Sequence, residues 1–178
     1  MKRVSIIILF FLITISGCRK NGNPKLSGTD TIDNRLYGMP YYAIGFSFPA
    51  DKKISTLNHP HDVITINASA SSDGNTIEKI YLDAQNFNNS FFRFGEYTGA
   101  AAAKQAFDNL TNIGNVEWKA SGDSIKANQI WIFKTEALSF AKFRIISTVA
   151  EMRQNIPYAE CTFEWVYQPD GSSTFPGK

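Results

Sequence analysis

From Gly114 onward the chain is written in strand chemistry. Residues 116–119, 129–135, 140–149 and 159–168 are rich in β-branched and aromatic side chains, the types that fit a pleated, half-buried surface. The clearest run is Ala159-Glu160-Cys161-Thr162-Phe163-Glu164-Trp165. Its period of two puts Ala159, Cys161, Phe163 and Trp165 on one strand face and Glu160, Thr162 and Glu164 on the other. Runs of this kind in succession predict an antiparallel meander. Gln168-Pro169-Asp170-Gly171 has Pro second and Gly fourth, the preference of a type I turn, so Thr174-Phe175 is expected to fold back as a short strand.

The first half carries the same signal more sparsely. An aromatic run from Tyr41 to Phe48 alternates until Pro49 ends it, and residues 63–70 and 77–82 read as a hairpin around the turn cluster 71–75. Phe91–Phe94 is a short strand candidate. One helix is expected, from about residue 99 to 113, because Ala103, Ala106, Phe107, Leu110 and Ile113 fall on one face, with Thr98 to cap its start and Gly114 its end. The expected fold class is a mainly β single domain over residues 36–178, with this amphipathic helix covering the sheet.

Residues 1–17 read as a lipoprotein signal peptide. Lys2 and Arg3 precede an apolar stretch of about ten residues, and Ile15-Ser16-Gly17-Cys18 is the apolar-small-small-Cys pattern of a lipobox. The stretch falls short of the roughly 20 apolar residues of a spanning helix. Acylation at Cys18 would give several chains and hence stable membrane anchoring. Residues 18–35, poor in apolar side chains, read as a flexible tether.

Charge and cysteine use narrow the chemistry. Removing Lys2 and Arg3 from the 18 basic residues leaves the chain balanced against 16 acidic ones, with no basic patch of the kind that neutralises phosphates, so a nucleic-acid partner is not expected. With Cys18 lipidated, Cys161 has no disulfide partner, and its place on an apolar strand face makes it a buried structural cysteine. No phosphate-binding glycine loop, nucleophile elbow or zinc hydrolase motif occurs, so the chain does not read as an enzyme.

The segment Asn128-Gln129-Ile130-Trp131-Ile132-Phe133-Lys134-Thr135, then Phe140-Ala141-Lys142-Phe143-Arg144-Ile145-Ile146, then Phe163-Glu164-Trp165-Val166-Tyr167-Gln168-Pro169-Asp170-Gly171-Ser172 resembles the C-terminal half of the HmuY-like lipoprotein family. The resemblance covers residues 128–175, and its most specific parts are Ala141-Lys142 and the Tyr167–Gly171 ending. It implies a β-rich protein anchored at the outer membrane of a Gram-negative bacterium, with haem as cofactor and an outer-membrane receptor as partner. In that family the iron is held by a pair of His or Met side chains, and those positions do not align with any residue here.

The ligand-binding candidates are therefore Met39, Met152, His59, His61 and Trp118. His59 and His61 are one residue apart, so they cannot reach opposite faces of one porphyrin. Together with Asp62 they could hold a divalent metal at the surface, against the simpler reading of an exposed polar loop. Met152 falls in an expected loop over 149–157. Phe91, Phe92, Phe94, Trp118 and Trp131 could line a flat apolar cleft, with Trp118 on its open face. The alternative function is a non-catalytic glycan-associated or adhesion module that keeps the scaffold without a haem site. Asp30-Thr31-Ile32 and Asp123-Ser124-Ile125 match an Asp-Ser/Thr-apolar pattern that some Gram-negative anaerobes O-glycosylate.

Overall fold

A computed structural model describes residues 24–58, 60–85 and 89–176. The expected signal peptide, Cys18 and His59 lie outside the described residues. Nine strands run in chain order: β1 (Ser27–Asp33), β2 (Ile44–Ser47), β3 (Lys52–Ser55), β4 (Val63–Ala70), β5 (Ile77–Ala84), β6 (Phe91–Glu96), β7 (Gln129–Lys134), β8 (Phe140–Arg153) and β9 (Ile156–Gln168). The helix α1 (Ala100–Asn109) lies between β6 and β7. The strands form two antiparallel sheets, one in the order β1-β9-β8-β7-β6 and one in the order β3-β2-β4-β5. The chain is mainly β, as its alternation predicts.

Period-two patterning decides what each face of the larger sheet meets. Trp131 and Phe133 of β7, Ala141, Phe143 and Ile145 of β8, and Cys161, Phe163 and Trp165 of β9 face the smaller sheet and form the main core with Phe46, Phe48, Ile64, Ile66 and Leu82. The intervening residues Ile130, Ile132 and Val166 face the other way, into a second cluster closed by Phe107, Leu110 and Ile113 of the helical segment and by Phe175. The sheet is thus buried on both faces where β7, β8 and β9 run side by side, which is why its strands are dense in apolar residues. Phe48 is the hub of the main core, with ring centroids 5.3 Å from Phe46 and 5.8 Å from Phe133, Phe143 and Trp165. Gly45 allows β2 to approach β4 closely, since a Cβ there would collide with the Ile64 carbonyl and the Val63 side chain.

The structure corrects several sequence expectations. Ser27–Asp33, read as tether, pairs along its whole length with β9 and buries Ile32 in the core. Its polar sequence hid it, because an edge strand with one half-exposed face needs few apolar residues to dock. Residues 116–119 form no strand, contributing only the bridge between Phe91 and Lys119. The helix ends earlier than residue 113, is preceded by Gly99 without a side-chain cap, and ends at Leu110. There the ammonium of Lys142 supplies hydrogen bonds to the last carbonyls. Residues 149–157 are not a loop: β8 and β9 form one long hairpin that turns only at Gln154-Asn155, both with positive φ. Thr174 pairs with Asn112, so the tail folds back against the segment after the helix and seats Phe175 in the second cluster.

The β7–β8 turn is locked by a hydroxyl chain. Thr135 Oγ1 and Ser139 Oγ are 2.6 Å apart, and Ser139 Oγ is 2.7 Å from the Tyr167 hydroxyl. All three residues are buried, so each hydroxyl has its polar need met inside the protein.

Candidate functional site

Pairing between β7 and β8 stops at Ile130 and Arg144, whereas β8 continues to Arg153 with only β9 beside it. A register shift between Ile145 and Ser147 marks the change, and β8 beyond it is largely exposed. The smaller sheet ends at β5, whose outer edge is stitched to the chain leading into β7. Leu82 and Gly122 exchange backbone hydrogen bonds of 2.9 Å, and the Ile125 N–H donates to the Ile80 carbonyl at 3.0 Å. Between the free part of β8 and the start of β5 the two sheets part. They leave a cleft of about 640 Å³ walled by Ile77 and Ile80 on one side, Ala150 and Met152 on the other, and Ile125 and Lys126 between.

This cleft brings together one soft donor, apolar walls and cations. Met152 contributes a thioether from a half-buried position on the hairpin arm. Ile80 and Ile125 are buried. Lys79 and Lys126 stand on the lining, with Lys79 Nζ 3.4 Å from Asp123 Oδ1. Glu151, also on the lining, accepts from Arg153 Nε at 2.6 Å. The volume lies in the range of small-molecule sites.

Among the described ligand-binding candidates, Met152 alone lines the cleft. Met39 is 86% exposed, on the loop between β1 and β2. His61 Nδ1 lies 2.7 Å from Glu136 Oε1, and the neighbouring Asp62 carboxylate accepts the Glu136 N–H at 2.7 Å, so this loop is tied to the β7–β8 turn. Among the described residues no group of three or more His, Cys, Asp or Glu side chains is placed to hold a metal ion. Trp118 is not on an open face: it is half-buried, stacked on Phe140 with centroids 6.0 Å apart, and Lys134 Nζ sits 4.6 Å from its ring centre. The cavity beside it holds only about 250 Å³.

The five aromatics expected to share a cleft do not line one together, although Phe92 and Trp131 both line a cavity of about 410 Å³. Phe91 and Trp131 belong to the main core, Phe92 and Trp118 pack against the second cluster, and Phe94 is exposed. Sequence gave no sign of Ile77, Lys79 or Lys126 as lining residues, since the cleft exists only where two sheets diverge. The two glycosylation patterns separate as well. The Thr31 hydroxyl is 2.8 Å from that of Thr162 inside the β1–β9 pair, whereas Ser124 is exposed.

Cys161 is fully buried, and burial pushes its thiol far above the ordinary range, so it carries no thiolate chemistry. No family model, characterised protein or solved structure matches the chain.

Proposed function

We propose that the chain is an outer-membrane lipoprotein, lipidated at Cys18, that binds haem without catalysis in the cleft between β5 and β8 and passes it to an outer-membrane receptor. The observation that supports this most is the position of Met152, among the described residues the one candidate iron ligand lining a cleft of about 640 Å³. The lining fits haem. Met152 offers a thioether of the type that ligates haem iron, Ile77, Ile80 and Ile125 offer apolar contact to the ring, and Lys126 offers positive charge to its carboxylates, while Lys79 is already paired with Asp123, and Glu78 and Glu151 share the lining. Among the described residues Met152 is the one His or Met side chain on this lining, so it is the iron ligand the cleft would offer. Bound haem would supply the iron centre; the protein's part is to hold it and shield it from water.

The test is a titration of the full chain, held in nanodiscs, with haemin, followed by Soret absorbance against empty nanodiscs. Saturable one-to-one binding is expected, with a band that shifts in Met152→Ala and is unchanged in Met39→Ala and His61→Ala. Unsaturating absorbance like that of the empty discs would end the haem reading. A saturable band indifferent to Met152→Ala would move the haem out of this cleft.

A further inference from the structure

A second cleft, of about 750 Å³, opens between the residue 34–42 loop, the β4–β5 pair and the tip of the β8–β9 hairpin. Its lining is unlike that of the first. Four tyrosines line it from three places: Tyr37 and Tyr41 on the loop, Tyr81 on β5 and Tyr158 on β9. Tyr41 is 72% exposed, and two further apolar side chains of the lining, Leu36 and Ile156, are more than 60% exposed. A folded domain gains nothing by holding so many large side chains open to water at one place, and such concentrations mark ligand sites.

The walls are held in place before any ligand arrives. Asn34 donates through Nδ2 to the Pro157 carbonyl at 3.0 Å and accepts the Ala159 N–H through Oδ1 at 2.9 Å, fixing the loop to β9. Tyr37 and Tyr42 exchange backbone hydrogen bonds of 2.8 and 3.0 Å, which closes the short loop that carries Tyr41. Preorganisation of this kind lowers the entropic cost of binding.

Charge selects among ligands. The two cations of the lining, Arg35 and Arg153, are each held by a carboxylate two residues earlier in the chain. Arg35 donates through Nε and Nη2 to Asp33 Oδ2 at 3.0 and 2.7 Å, and Arg153 through Nε to Glu151. The Arg153 guanidinium also lies flat on Tyr158, 3.3 Å from the ring centre. Each positive charge is thus answered locally, which leaves the cleft near neutral and gives an anion no particular welcome. What it presents is the open ring of Tyr41 with the half-buried rings of Tyr37 and Tyr81 behind it, side-chain amides from Asn67 and Gln154, and guanidinium N–H groups. Alternating C–H faces and hydroxyl edges are what such a surface complements.

From this we infer that the second cleft is a binding site for neutral carbohydrate, with a sugar ring stacked on Tyr41 and its hydroxyls served by Asn67, Gln154 and Arg153. The site is separate from the Met152 cleft and stands whether or not haem binds there.

The experiment is equilibrium binding of the full chain, in nanodiscs, to immobilised neutral hexasaccharides of glucose, mannose and N-acetylglucosamine. Saturable binding to at least one is expected, weakened at least tenfold in Tyr41→Ala and in Tyr81→Ala, retained in Tyr41→Phe, and unchanged in Met152→Ala. Because Tyr41 is largely exposed, its removal leaves the fold intact, as a thermal melt of the same variant would show. Failure to bind all three sugars, or binding that survives both alanine changes within twofold, overturns the assignment. So does displacement of the sugar by haemin that persists in Met152→Ala, which would give this cleft to porphyrin.

Discussion

The ammonium of Lys142, 1% exposed near the start of β8, donates to the carbonyl of Leu110 at 2.8 Å, where α1 ends. It also donates to the Phe107 carbonyl at 2.7 Å and lies 4.8 and 5.5 Å from the ring centres of Phe107 and Phe175. A helix C-terminus carries unsatisfied carbonyls and partial negative charge, and a buried cation answers both. One of the two most specific parts of the sequence resemblance, Ala141-Lys142, thus has a structural use here, joining helix to sheet.

Replacing Lys142 by Met keeps the length of the side chain but strands two buried carbonyls. Chemical denaturation should show a loss of about 1–3 kcal/mol, the usual cost of unsatisfied buried polar groups. Loss of α-helical signal at unchanged strand signal should accompany it. A variant as stable as the parent would mean that water replaces the ammonium and that the helix does not depend on it.

Ile32 tests whether β1 belongs to the domain or to a tether. It is 2% exposed and paired with Cys161, so Ile32→Ala should cost about 2–5 kcal/mol in the same measurement. Thr29→Ala, on the same strand but exposed, should change stability by less than about 0.5 kcal/mol. Equal, small effects at both positions would show that the strand is not part of the cooperative unit.

Cys161 should be silent toward thiol reagents. Its sulfur is buried in the main core and burial disfavours the thiolate, so a water-soluble disulfide reagent at pH 8 should label it only as fast as the domain unfolds. Labelling should accelerate with added urea in step with the unfolded fraction. Rapid labelling of the native protein would require a route through the sandwich that this packing lacks.

Asp33 links stability to pH. Burial pushes its carboxyl up, but hydrogen bonds from the Arg35 side chain and backbone, with the positive charge, bring it below the ordinary 3.8. A carboxylate whose folded value is depressed contributes stability above the unfolded value, and that contribution is lost as pH falls through the folded one. Between about pH 5 and pH 2 the parent should therefore lose more stability than Asp33→Asn, in denaturation series at fixed ionic strength. Parallel curves for the two proteins would show that the pair with Arg35 adds nothing.

How far the sequence reached depended on the range of the interaction involved. Alternation at 159–165 identified the buried face of β9 correctly, because side-chain direction in a strand is a local property of period two. The same reasoning found the β4–β5 hairpin and the helix face around Phe107. It failed at β1, where seven residues with a single core anchor look like tether until β9 supplies their hydrogen-bond partners. It failed again at residues 149–157, where a hairpin arm outruns the neighbouring strand β7 and so loses the two-sided burial that makes strands legible.

The class of fold, the buried cysteine and the core face of β9 were legible in the chain, all consequences of local periodicity and of which side chains avoid water. Folding in three dimensions set where the two sheets part, which put Met152 on a cleft wall, sent Trp118 into packing, drew Ile32, Phe91 and Trp131 into the core and gathered four tyrosines from 37, 41, 81 and 158. Clefts form between elements distant in the chain, and no short-range pattern records which of them will meet.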